Sequence, residues 1–189
     1  MVSDQQDLFH QMVKQTVHLA HLHEKYWALY SGPGTWQFWL VFLLFIIPLV
    51  ILYFRIDRKK ILLMGFYGFN IHVWFGYIDY IGTNHGWWNY PYHLIPFLRS
   101  FVLDGSLIPI TFMLVYQWTI NHKKNYYLYS FLTAAVLAFI FKPILRVLGL
   151  FTVEVRYVDL FLVYCIVLIF SRIITSFFLY ISKKEENFA

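Results

Sequence analysis

WQFWLVFLLFIIPLVILYF, residues 36–54, is the stretch whose reading decides the fold. It carries no charge and is apolar on every face. A helix rises about 1.5 Å per residue, so about 20 such residues cross the roughly 30 Å hydrocarbon layer of a bilayer. A buried strand would be far shorter. The run ends at Arg55-Ile-Asp-Arg-Lys-Lys60, a basic loop of the kind that stays on the cytoplasmic face of a membrane.

Outward from this segment, four further apolar stretches reach spanning length. They are residues 61–81 with His72 and Asp79, 103–120, 126–150 with Lys142, Pro143 and Arg146, and 157–181 with Asp159 and Arg172. Pro48, Pro109 and Pro143 fall inside helices, which membrane helices tolerate. The runs are continuous rather than alternating, which excludes a β-barrel. Composition agrees: 60% hydrophobic, 22% aromatic, 13% charged and a mean hydropathy of +0.57 over 189 residues. Soluble domains carry about 25% charged residues. A soluble enzyme or a nucleic-acid binder is excluded, and the net charge of +5 is read from its placement. Cys165 is the single cysteine, so the chain has no internal disulfide and no cysteine-based metal site.

The expectation is an all-α, polytopic membrane helix bundle. Residues 36–189 supply five transmembrane helices, and residues 1–35 supply an amphipathic extracytoplasmic helix. Eight Lys and Arg residues gather on one side: Arg55, Arg58, Lys59, Lys60, Lys123, Lys124, Lys183 and Lys184. Four lie on the other: Lys14, Lys25, Arg99 and Arg156. This bias predicts an N-terminus outside and a C-terminus in the cytoplasm.

The N-terminal segment is not read as a cleaved signal peptide, because it lacks a basic start followed by an apolar run. From Asp4 to Tyr30 the apolar residues Phe9, Met12, Val13, Thr16, Ala20, Tyr26 and Trp27 fall near one stripe. Lys14, His18, His21 and Lys25 share the opposite face. Ser31-Gly-Pro-Gly34 ends the helix, which is expected to lie on the membrane surface or cap the bundle. Residues 82–102 form an aromatic linker expected at the outer interface, with 94–102 as a short re-entrant or surface helix.

Ionisable residues inside spans are costly and mark functional-site candidates. Counted along the helices from the cytoplasmic side, Asp79 lies at roughly 27 Å and Lys142 at roughly 24 Å. Asp104 opens its span from the outer end. His72 sits two turns before Asp79 on the same face, and Arg146 one turn beyond Lys142. His72, Asp79, Asp104, Lys142 and Arg146 are therefore the expected charge cluster, with His85, Trp87, Trp88, Tyr90 and His93 at its mouth. The competing reading is a structural ion pair that only fixes helix packing. Gln117 and Arg172 are read as structural, with Arg172 snorkelling to the headgroups.

No metal site is expected. His18 and His21 can share a face, but His23 points elsewhere and no acidic or cysteine ligand completes the set. A haem held by His72 and a Schiff base on Lys142 are weaker readings, and no cofactor is assigned. No phosphate loop, nucleophile elbow or zinc-protease motif is present, so the sequence leaves open whether this is an enzyme.

Several short stretches also carry a resemblance. Ile56-Asp-Arg-Lys-Lys60, Tyr77-Ile-Asp79, Gly82, Gly86-Trp87 and Asn89-Tyr-Pro91 begin it. Leu103-Asp104, Pro109, Met113-Leu-Val-Tyr-Gln117-Trp, Phe141-Lys-Pro143 and Leu148-Gly149 continue it. Together, over about residues 52–181, the chain resembles a family of small, uncharacterised multi-spanning membrane proteins of Gram-positive spore-forming bacteria. That resemblance implies a bacterial cytoplasmic membrane location and no settled activity. A looser similarity to membrane lycopene cyclase domains lacks their pair of adjacent glutamates, so cyclase activity is not carried over.

The functional expectation is an integral membrane protein binding or transporting a small polar or amphipathic ligand through an outward-facing charged pocket. The alternatives are a membrane enzyme acting on a lipid or isoprenoid, and a non-catalytic subunit of a membrane complex. The expected partners are the lipid bilayer, a lipid or small-molecule ligand, and further copies or other subunits in a homo- or hetero-oligomer; no nucleic acid is expected.

Overall fold

The computed structural model describes the backbone of residues 2–186 and the side chains of residues 4–182. Helix α1 (Val2–Tyr26) runs into a π turn, Trp27–Ser31. Gly32, Pro33 and Gly34 break it there. Helix α2 (Trp36–Arg55) starts at Thr35, whose hydroxyl accepts the Phe38 N–H at 3.3 Å and satisfies one free donor of the first turn. A 3₁₀ turn, Arg58–Lys60, leads into α3 (Ile61–Asn84).

A π turn at Leu103–Leu107 opens α4 (Ile108–Asn121). Helix α5 (Tyr126–Val136) passes through a third such turn, Leu137–Phe141, into α6 (Lys142–Val147). Helix α7 (Tyr157–Glu186) completes the bundle. The last two π turns have a local cause. Pro109 and Pro143 lack an N–H, so the ordinary hydrogen bond cannot form there. The wider turn appears instead, with Ile108 N–H bonded to Leu103 O and Lys142 N–H to Leu137 O.

Among the described residues the chain is all-helical apart from two short strands. Four helical stretches are long and apolar enough to cross a membrane: Trp36–Arg55, Arg58–Asn84, Tyr126–Val147 and Tyr157–Ser182. The stretch expected as the third span is also helical but is not one of these four. Asp104, Ser106, Thr111 and Gln117 dilute it. Its position explains why it tolerates them: α4 packs against α2, α3 and α5, and Phe112 and Tyr116 are fully buried. A helix enclosed by protein can carry polar residues that a lipid-facing one cannot.

The connections gather at two ends. The basic end holds residues 56–60 and 122–125. There Gln117 accepts the Asp57 N–H at 2.7 Å and donates to the Arg55 carbonyl at 2.9 Å. This ties the α2–α3 turn to α4. At the linker end, β1 (Trp88–Asn89) pairs antiparallel with β2 (Thr152–Val153), and Glu154 N–H reaches Trp87 O at 2.8 Å. The linker is thereby fastened to the α6–α7 connection.

The re-entrant or surface helix expected over 94–102 is replaced by tight turns, with an isolated bridge between Ile95 and Leu98, and helix resumes only at Phe101. Pro96 accounts for this, since it disfavours helical geometry in the residue before it. Helix α1 ends at Tyr26, where the expected helix ran on to Tyr30, and a π turn follows. Much of its apolar stripe is exposed, with Phe9 and Met12 each 61% exposed, while Trp27 in that turn packs on the Phe38 ring. Only its C-terminal end is fastened. Trp27 Nε1 donates to His93 O at 2.9 Å, and Ser31 Oγ accepts the His93 N–H at 2.9 Å.

Candidate functional site

Asp79 and Trp88, nine residues apart, meet because α3 ends at Asn84 and Gly86 reverses the chain with a φ of +71°. The returning Trp88 ring lies flat over Gly82. A Cβ at Gly82 would stand 2.2 Å from Trp88 Cζ2, so only glycine admits the ring. The indole Nε1 then donates to Asp79 Oδ1 at 2.8 Å, and the Tyr90 hydroxyl donates to the same oxygen at 2.7 Å. Lys142 Nζ donates to that Tyr90 hydroxyl at 3.0 Å. The result is a continuous chain from ammonium to phenol to carboxylate. Asp79, Tyr90 and Lys142 are 6%, 6% and 3% exposed.

The cation has no direct carboxylate partner. Among the described residues the ion pairs are His21–Glu24, Lys60–Asp57 and Arg156–Asp159. Lys142 instead sits over the rings of Phe151 at 4.0 Å and Tyr90 at 4.9 Å. Ring quadrupoles and one hydrogen bond replace the water that burial removes. Asp104 completes the cluster and is also buried. Its Oδ2 has no hydrogen-bond partner among the described residues, and its backbone carbonyl lies 2.7 Å from His72 Nδ1. The cavity between Asp79, Asp104, Lys142, Tyr90 and Tyr164 measures about 20 Å³, the size of a single water.

Two larger cavities flank this core. One of about 230 Å³ lies between α3 and residues 97–105, lined by His72, Asp79, Asp104 and Arg99. The other is a groove of about 590 Å³ between the C-terminal part of α1 and the linker. Leu19, Leu22, Leu29 and Pro91 supply its apolar wall; His23, Lys25, His93 and Arg99 supply its polar groups. Tyr90 lines both the groove and the small central cavity.

The expected cluster is thus divided. Asp79, Asp104 and Lys142 come together, and His72 faces the side pocket while exposed. Arg146, also exposed, does not line any of these three cavities. Of the expected mouth residues, Trp88, Tyr90 and His93 are buried, whereas His85 and Trp87 stack on one another at the surface, ring centroids 5.1 Å apart. Trp88 and Tyr90 are hydrogen-bonding members of the core rather than a lid.

A second network, which the sequence analysis did not single out, lies nearer the basic end. Tyr67 and Tyr126 share a hydroxyl hydrogen bond of 2.7 Å, Tyr126 donates to Leu168 O at 3.0 Å, and Arg172 bonds the Tyr116 hydroxyl. The Arg172 guanidinium lies 5.0 Å from the Tyr116 ring centre. It is held by aromatic rings rather than extended to headgroups. Repeated tyrosines facing one arginine are the only trace of this arrangement in the sequence. Among the described residues no group of His, Cys, Asp and Glu is placed to hold a metal. No protein-family model, curated protein or solved structure matches the chain.

Proposed function

We propose that this chain is a five-span integral membrane protein that binds a small amphipathic ligand at its linker end. The N-terminus and linker would face outward across a bacterial cytoplasmic membrane. The fifth span is α4 with its opening turn, which runs from Asp104 at the linker end to Gln117 at the basic end. The observation that carries the reading is the groove of about 590 Å³, lined by both apolar and polar side chains. Ligand pockets commonly fall in the range of about 300–1,000 Å³ with this mixture of lining. Binding is favoured over passage, because the charged core behind Tyr90 has room for about one water.

A second reading, a membrane enzyme acting on a lipid or isoprenoid, is favoured by one observation. Tyr90, the middle member of the Lys142–Tyr90–Asp79 hydrogen-bond chain, also lines the groove, where a proton could be given or taken. One experiment tests both. Mass spectrometry of small molecules retained by protein purified in mild detergent should find one enriched over a Leu22→Arg variant, which blocks the groove. No difference between the two would refute the binding reading. A chemically altered lipid that accumulates with the wild type but not with Tyr90→Phe would favour the enzyme.

A further inference from the structure

We propose that the groove between α1 and the linker selects an anionic amphiphile, with its head at Arg99 and His93 and its chain along Leu19, Leu22 and Leu29. This rests on the reading of the groove as a ligand site and adds the ligand's charge. Three observations carry it. First, no acidic side chain lines the groove, whereas Lys25, His23, His93 and Arg99 all do. Second, Arg99 is held only by neutral amides. Its Nη1 donates to Asn89 Oδ1 at 3.0 Å and its Nη2 faces Asn84 Oδ1 at 3.4 Å, so its positive charge is oriented but not neutralised. Third, His93 is 2% exposed and its Nε2 has no hydrogen-bond partner among the described residues, although His93 lines the groove. A buried nitrogen without a partner is costly. Nδ1 donates to the Tyr90 carbonyl, so Nε2 bears the lone pair of the neutral ring and donates to an anionic oxygen once the ring takes up a proton.

The field is felt within the site itself. Burial, and then the charge of Arg99, holds the His23 imidazole below its ordinary range. The same positive potential would attract an anionic head and repel a cationic one. The apolar wall adds a demand for a hydrocarbon tail, which separates the expected ligand from a free inorganic anion.

The test uses the full chain in phosphatidylcholine nanodiscs, with binding read in excess of that to empty discs. The probes are octyl sulfate, octanol, octyltrimethylammonium and inorganic sulfate. Octyl sulfate should bind at least about tenfold more tightly than each of the others, and Arg99→Gln should bring it to about the octanol level. Lys123→Gln, at the opposite end, should leave it unchanged. If octanol or octyltrimethylammonium binds as tightly as octyl sulfate, or Arg99→Gln has no effect, the charge selection fails while the groove stands as a site. If inorganic sulfate matches octyl sulfate, the tail requirement fails. If Lys123→Gln weakens binding as much as Arg99→Gln, net charge rather than this groove is responsible. If no probe binds more tightly than to Leu22→Trp, which fills the groove without adding charge, the ligand-site reading falls as well.

Discussion

Tyr90 is the residue on which the buried charges depend. Its hydroxyl accepts from Lys142 and donates to Asp79, so one oxygen serves two groups that otherwise lie outside ion-pairing distance. Tyr90→Phe leaves the ring in place and removes that oxygen. It should destabilise the protein by about 1–3 kcal/mol, the cost of leaving buried polar partners unsatisfied. Adding Lys142→Met should cost less than the two separate losses combined, because the cation is no longer stranded. Unfolding in detergent followed by circular dichroism measures both, and a neutral Tyr90→Phe would remove Tyr90 from this role.

A pH dependence belongs to the same scale. Burial first, and then the positive charges of His23 and Arg99, hold His93 below its ordinary range, against the pull of the Tyr90 carbonyl. His23 is lowered by burial and Arg99. The other titratable or charged groups facing them in the groove are Lys25, Tyr26, Tyr30, Tyr90 and Arg99. An anion in the groove favours the protonated imidazoles and raises their pKa, so binding takes up protons. Affinity for octyl sulfate, whose own charge is fixed, should therefore rise as pH falls below about 6.5 and be flat above about pH 8. Titration of the dissociation constant across that interval checks the sign. A constant that weakens towards acid would contradict it.

Between elements, two glycines set how closely the parts approach. A Cβ at Gly82 would collide with the Trp88 ring at 2.2 Å, and one at Gly68 would lie 2.1 Å from Met113 Sδ and 2.6 Å from its Cγ. Gly82→Ala should displace the indole and break its bond to Asp79, while Gly68→Ala should force α3 from α4. Each should cost about 1–3 kcal/mol, the usual scale of overpacking. Gly76→Ala, where nothing lies within 4 Å of the added carbon, is the control and should not lose stability by either route. Thermal unfolding of the three variants side by side is the measurement.

The last two π turns act at this scale too. Asp104 lies within one, and Lys142 directly follows the other. Each inserts a wide turn and shifts the phase of the helix that follows, so an ideal helical wheel misplaces residues beyond it. The sequence still brought Asp79, Asp104 and Lys142 to one depth, because depth depends on residue count. It did not show which groups touch, because contact depends on helical phase and on the linker's return path.

Over the whole molecule, the basic turns Arg58–Lys60 and Lys123–Lys124 lie at one end and the aromatic linker at the other. In the proposed orientation the positive-inside rule puts those turns in the cytoplasm. In a Cys165→Ser background, a cysteine at His85 should react with an impermeant maleimide added to intact cells, and one at Lys123 should react only after lysis. The reverse pattern would invert the topology. Helix α1, on which Phe9 and Met12 are exposed, would lie on the outer side in the proposed orientation.

Sequence alone determined the helical class, the extent of α2 and the helical character of α1. These follow from apolar run length and from rise per residue, which are local properties. Tertiary structure alone decided that Tyr90 and Trp88 would hold Asp79, that α4 would be the enclosed helix, and that the widest opening would lie outside the charge cluster. Those outcomes depend on residues far apart in the chain meeting in space: Tyr90 with Lys142, Ser31 with His93, and Gln117 with Asp57. No periodicity records such a meeting, because it is fixed by how the helices pack and how the linker folds back over them.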